Sequence, residues 1–528
     1  MRRSSLAAIL GICMLTVSLV ACGVGSDPDA TGSGSGDSSS DTLTIAIGAD
    51  LDTTDPAALI SGGSMQRIRE VVESLTTLDE NGELQPKLAT SWSSSDDGLT
   101  WTFELRDDVE FTDGTPFNAE AVKFSIDRLL SGKVTNVKTD AMAVIDKTTV
   151  VDEHTVEFTL ESPYPALPMA LYQPMAGIIS PKSIDQNGNS MKQIAHPVGT
   201  GPYEFVEQVT GDHLTLERND DYWGDAPEFK TQTWQVVPEA ATRMALLRSG
   251  EADIVIDPPG TEVEALEADD NYSVVMVDLP QMFGVFLNQE DADVPELKDV
   301  RVRQALSYAI DRESLVENLV YGAADVYSGP LPSFDFGYCE QDAYDYAPEK
   351  AKQLLQEAGA SDLKLDIAAP NGRYVNDYAV GQAVAGDLRK VGVDVNLAPA
   401  ADFPTYLQEI YAEPGQNKYD ATMIALGSIF LDGGHALRNF RSDMTPPAGY
   451  NGSYYKSTAF DKLMDKVDTE TDDDARADLI CDASNMLVED ATKIWLYQPK
   501  QPVVMRDGLE NLTALPSSFL DPSTVTSE

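Results

Sequence analysis

The chain has 528 residues, four of them Cys, and 87 Asp and Glu against 37 Lys and Arg, a formal charge of −50. That length exceeds what one hydrophobic core fills, so at least two lobes or domains are expected. The negative balance excludes nonspecific binding to nucleic acid through its phosphates, which needs clustered Lys and Arg, and argues against adsorption to anionic lipid by surface charge.

Arg2 and Arg3, followed by the mostly apolar run Leu6–Val20, read as a secretory signal over residues 1–21. The run is short for a membrane span of roughly 20 apolar residues. It ends Leu19-Val20-Ala21-Cys22-Gly23, which resembles a bacterial lipobox, in which the Cys thiol takes a diacylglyceryl group and becomes the new N-terminus. Such an acyl chain anchors by about 0.8 kcal/mol per buried methylene, with no spanning helix. The competing reading is an ordinary signal peptide with an incidental Cys. Residues 22–40 are dominated by Gly, Ser, Asp and Thr and hold no aromatic side chain, so they form a flexible tether. The expected place is the outer face of the bacterial cytoplasmic membrane, with the lipid anchor as the membrane contact.

Leu43–Ile47 is a β-branched alternation that runs into the turn-rich Gly48–Pro56, a strand followed by a loop. Ile68, Val71, Val72 and Leu75 recur at helical spacing and predict a helix over Arg67–Leu78. Trp101–Leu105 and Val109–Phe111 alternate like strands, with Asp107-Asp108 in the turn. Asn118 caps a predicted helix carrying Ala121, Val122, Phe124, Ile126 and Leu129, with Glu120 in its first turn. Thr155–Leu160 is again strand-like, and Arg301–Val320 and Pro348–Ala358 are helical. The last of these has Pro at its start and Gly359 just past its end. No repeat with a period of about 20–50 residues recurs, which excludes solenoids and propellers and leaves a mixed α/β chain.

Catalytic constellations are absent from the sequence. It holds no Gly-x-Ser-x-Gly elbow, no His-Glu-x-x-His and no phosphate loop ending in Lys-Ser/Thr. Gly199-Thr200-Gly201-Pro202 lacks the following Lys, and Pro202 removes a donor amide, so this is a tight turn. His154, His196, His213 and His435 stand at no metal-ligand spacing, and His435 falls in a loop. No cofactor, no metal and no enzymatic activity are expected. Asp472-Asp473-Asp474 reads as solvent-facing charge at a helix start. With Cys13 in the signal and Cys22 acylated, Cys339 and Cys481 remain, either as a disulfide in an oxidising compartment or as two buried thiols.

Several long motifs then carry a family resemblance. They are Trp101 to Arg106 with Phe111 to Glu120, His196 to Tyr203, Asp221-Tyr222-Trp223-Gly224, Ala241 to Leu247 with Asp253, Asp299 to Arg312, and Tyr346 to Gly359. In this order, from about residue 41 to about 500, they resemble the peptide/nickel class of ABC-transporter solute-binding proteins, the extracellular solute-binding family 5. The resemblance implies an α/β, two-lobed periplasmic-binding-protein type II fold with an extra subdomain inserted in the first lobe. Placed on this sequence, lobe one covers 41–280 with the insertion at about 62–198, lobe two covers 281–501, and 502–528 return to lobe one. Pro280 to Asn288 sits where a crossover strand belongs. The disulfide between Cys339 and Cys481 would lie within lobe two, as in some relatives.

The resemblance also implies a function: a monomeric receptor that encloses a small solute between closing lobes and delivers it to the transmembrane subunits of an ABC permease. By matching position, the ligand contacts are Asp50 and Ser64 after the first strand, Met282 and Phe283 at the crossover, and Gly427, Ser428, Phe430 and Asp432 in lobe two. Peptide-binding members commonly carry a Trp-containing segment followed by Asp-Pro-Asp-Asn in that last loop. Here Leu426 to His435 has no Trp and no Asp-Pro, and Asp432 is the carboxylate left to meet an amine. Oligopeptides are the expected solute. Oligosaccharides are the alternative, with Phe283, Phe430, Tyr374, Tyr454 and Tyr455 as stacking faces. A nickel chelate fits less well, because His is scarce.

Overall fold

The computed structural model describes residues 41–134, 141–341, 344–413, 415–516 and 518–528. The signal at 1–21, the acylation site Cys22 and the tether at 22–40 lie outside the described residues.

Thr42–Ile47 alternates as its residues require: Leu43, Ile45 and Ile47 enter one core and Ala46 enters another on the opposite face. It lies between two parallel neighbours, Thr231–Val236 and Ile254–Ile256. The antiparallel strands His213–Arg218 and Tyr203–Val209 extend the same sheet outward. A second parallel group consists of Asp394–Pro399, Lys364–Ala369 and Ala421–Leu426, with Met282–Leu287 antiparallel beside the last. Strand Lys493–Arg506 joins the two groups. Its first residues pair with Met282–Leu287 and its last with Ile254–Ile256 and Tyr272–Asp278. Along it, Ile494 and Leu496 face one core of the second group and Trp495 the other.

The fold is two-lobed, with one strand group in each lobe, and the groups are linked by the segment Asp278–Met282 and by the long strand. One core gathers residues from Leu43 to Val277 together with Phe430, Leu431 and Val503 to Val525, while two others gather residues between Met282 and Tyr497. A separate antiparallel sheet, Ala89–Ser94, Thr100–Leu105, Thr155–Leu160 and Ile145–Asp152, carries helix Ala119–Leu130, whose cap Asn118 accepts the Ala121 amide. Cys339 and Cys481 are bonded, across a sequence separation of 142.

Three local expectations change. The helix expected over 67–78 is Gly62–Ile68, capped by Ser61, and Thr76–Leu78 is a strand. Beyond Ile68 the carbonyls of Glu70, Val71 and Glu73 accept from Tyr203, Gly201 and Ile178, so tertiary partners replace the helical ones. This is why Gly199 and Gly201 are glycines: a Cβ there would stand 2.1 Å from the Val71 carbonyl and 2.4 Å from that of Glu70. Val109–Phe111 forms no strand; Glu110 makes a single bridge to Pro116, and Thr100–Leu105 pairs elsewhere. The helix expected over 301–320 is two, Val300–Tyr308 and Arg312–Leu319, because Asp311 caps the second through the Ser314 amide.

Candidate functional site

In open α/β sheets the loops at the carboxyl ends of parallel strands form the ligand crevice. The first such loop follows Ile47. Asp50 accepts the Gly211 amide at 2.6 Å and the Leu51 amide at 2.7 Å, with Gln208 Nε2 at 3.4 Å. Asp52 accepts the amides of Ile60 and Ser61 at 3.0 and 3.1 Å. The buried Ser64 hydroxyl accepts the Asp52 amide at 3.0 Å and bonds Ser61 Oγ at 2.9 Å. Ser64 and Asp52 therefore close this loop on itself.

Strand alternation sends the two crossover candidates to opposite faces. Met282 packs with Phe286, Ile424 and Trp495. Phe283 stands 5.0 Å from the Tyr374 ring and 5.2 Å from that of Tyr497. It lines a cavity of about 250 Å³ that also touches Asp257, Leu279, Gln281 and Gln501. Beneath Met282 the buried amine of Lys493 donates to the carbonyls of Met282 and Ile424, at 3.0 and 2.9 Å. Burial holds Lys493 well below the usual lysine range.

The lobe-two loop reaches across. Gly427 lies against the crossover, where a Cβ would stand 2.1 Å from the Pro280 carbonyl. The buried Ser428 hydroxyl accepts the Phe430 amide at 3.1 Å. The Ile429 carbonyl accepts from Tyr172 Oη and Gln173 Nε2 of lobe one. Phe430 and Leu431 pack into the lobe-one core, and the Phe430 ring lies 4.7 Å from His435. Asp432 caps Gly433–Leu437 through the His435 amide at 2.8 Å.

Asp432 also forms a two-pronged pair with Arg476, at 2.6 and 2.9 Å, with both side chains buried. Burial opposes the carboxylate, and the Arg476 guanidinium and the His435 amide outweigh it, leaving Asp432 below the usual range. The carboxylate kept for a solute amine on sequence grounds is therefore engaged by Arg476. Tyr164 of lobe one stands next to this pair, its hydroxyl buried and its acidity suppressed by burial first and by Asp432 second. Tyr164, Glu161, His435, Arg438, Arg441 and Asp468 line a cavity of about 410 Å³ between residues 141–165 and 434–476.

Ser64, on helix Gly62–Ile68, thus braces the loop that holds Asp50, the lobe-two residues from Gly427 to Asp432 share another loop, and Met282 and Phe283 diverge. Tyr454 and Tyr455, the stacking candidates, turn inward, with hydroxyls on the Ala412 carbonyl at 2.8 Å and on Asp490 at 2.6 Å. Sequence reasoning missed Tyr172, Gln173, Tyr164 and Arg476. Each enters through a contact more than 40 residues distant in the chain, so no local signal marks it.

The chain matches the family described as bacterial extracellular solute-binding proteins, family 5, over residues 83–445. It is 31% identical over 457 residues to the glutathione-binding protein GsiB of Pectobacterium atrosepticum, covering 85% of this chain and 87% of that one. HbpA2 from Haemophilus parasuis superposes with a TM-score of 0.83 at 24% identity, over 92% of this chain and 100% of that chain. The periplasmic binding protein DppA from Helicobacter pylori, solved with the peptide STSA, gives a TM-score of 0.74 at 26% identity, over 92% and 98%. The chain belongs to the family 5 extracellular solute-binding proteins, the solute receptors of ABC importers, and is not an enzyme.

Proposed function

We propose that this receptor captures oligopeptides between its lobes and delivers them to a membrane permease, working as a monomer tethered by an acyl group on Cys22. Its lobes are taken as 41–280 with the return 502–528, and 281–501, with the insertion at about 62–198. The carrying observation is the bridge from Tyr172 and Gln173 to the Ile429 carbonyl, which lays the lobe-two loop across the crevice. Peptide chemistry is supported by two relatives, whose names specify glutathione and a bound tetrapeptide. In this reading Asp50 and Ser64 shape the first wall, Phe283 the floor with Met282 packed behind it on the strand's other face, and Gly427, Ser428 and Phe430 the second wall. Asp432 sets the loop through Arg476.

The test is thermal unfolding of a protein starting at Asp41 against di- to nonapeptides, oligosaccharides and nickel chelates. A ligand at 100 times its Kd adds about 2.7 kcal/mol of stability. Stabilisation by peptides supports the reading, and stabilisation by sugars alone sinks it. For the anchor, metabolic labelling with a palmitate analogue is expected to mark the full chain and to be lost in Cys22→Ser.

A further inference from the structure

Arg67 is 1% exposed. Its Nε donates to the Gly63 carbonyl at 2.9 Å, while Nη1 and Nη2 are buried with no hydrogen-bond partner among the described residues. Helical side chains lean back toward the start of their own helix, and the bond to Gly63 shows that this one does. The guanidinium is thereby carried to the carboxyl end of strand Thr42–Ile47, where the Cβ position of Gly63 is 3.6 Å from Ile47 Cδ1 and 3.9 Å from Arg67 Nη2.

Burial lowers Arg67 to about 10, opposed by Asp50 and Asp52, so it stays charged at neutral pH. Neither carboxylate bonds it. Asp50 is taken by the amides of Leu51 and Gly211 and by Gln208, and Asp52 by the amides of Thr53, Ile60 and Ser61. Gln66 Nε2 and Gln173 Oε1 are likewise buried without a hydrogen-bond partner among the described residues. Gln66 is the neighbour of Arg67 on the same helix. Gln173 belongs to the segment that receives Ile429, and that segment packs on helix Gly62–Ile68 through Pro174–Ala176.

A buried guanidinium with both terminal nitrogens unmet is matched by an acceptor with two oxygens. We infer that Arg67 receives a carboxylate of the captured solute, and that it makes the receptor prefer a free carboxylate over the corresponding amide. This rests on capture between the lobes as proposed above. Asp432 and Arg476 satisfy each other, whereas Arg67 on the lobe-one side has both terminal nitrogens without a partner among the described residues, which suits an anion.

The test compares wild type, Arg67→Met and Arg67→Lys, each starting at Asp41. Methionine replaces the aliphatic stem and removes the buried charge, so Arg67→Met is expected to fold. Thermal unfolding is followed in acetate and in acetamide at matched ionic strength, up to about 100 times the range in which acetate first acts. Saturable stabilisation by acetate is expected in the wild type, absent in Arg67→Met and partly kept in Arg67→Lys, with no effect of acetamide. Calorimetry with trialanine and trialanine amide is expected to give the wild type a preference of roughly tenfold or more for the free acid, lost in Arg67→Met. Equal responses to acetate in wild type and Arg67→Met would overturn the assignment and leave Arg67 as a brace for the Gly63 turn. If trialanine does not bind but the acetate response depends on Arg67, the anion site stands and the peptide reading falls.

Discussion

The Asp432 carboxylate receives both terminal nitrogens of Arg476, so the residue at the head of the lobe-two loop is bound to the helix Asp473–Glu489 behind it. This buried pair fixes the loop that crosses to lobe one. Removing one partner strands a charge, at a cost of about 3–5 kcal/mol, while removing both costs less. Asp432→Asn and Arg476→Met are each expected to lower the urea midpoint, and the double variant to recover part of the loss. Additive losses in this cycle would show that the two residues act separately.

Gly427→Ala is expected to weaken solute binding more than its size suggests. The new methyl would meet the carbonyl of Pro280 and, at 2.6 Å, the Cα of Gln281, which are backbone atoms of the crossover. The loop must then move off the crossover, at about 1–3 kcal/mol. Titration of a bound peptide should show a raised Kd with a smaller change in unfolding midpoint. An unchanged Kd would show that the loop position is not needed for capture.

Closure itself is testable at Ile429. Tyr172→Phe with Gln173→Ala removes both lobe-one donors to its carbonyl. Two hydrogen bonds contribute about 1–3 kcal/mol, roughly tenfold in the ratio of closed to open forms. Small-angle scattering of the solute-free variant is expected to give a larger radius of gyration than the wild type. The same radius in both would place the closing energy elsewhere.

Glu70 provides a pH dependence. It is buried, bonded to Gln232 Nε2 at 3.3 Å, and raised from 4.5 to about 8, by burial first and by Asp521 second. A folded value above the unfolded one means that folding takes up a proton. The stability from this group is complete below pH 4.5 and is lost as pH rises toward 8. Glu70→Gln keeps the shape without the titration. The wild type is expected to lose a few kcal/mol relative to this variant between those limits, measured by urea unfolding at several pH values. Parallel pH profiles would show Glu70 ionised in the folded protein.

Local patterning in the sequence was enough for the mixed α/β class, the Asn118 cap and the first strand, because each depends on neighbours a few residues apart. The long motifs carried the family and the two-lobed fold. The apolar spacing of 67–78 is compatible with a helix, while the carbonyls of Glu70, Val71 and Glu73 find partners 100 or more residues away. The candidate loops follow from order along the chain, but the commitments of their side chains do not. Asp432 reads as a spare carboxylate until Arg476 is brought to it across 44 residues, and Arg67 reads as an ordinary helix residue until burial leaves its two nitrogens unmatched. Charge and period are written locally, whereas desolvation and pairing are set by what the fold places alongside, and that is decided only by the tertiary structure.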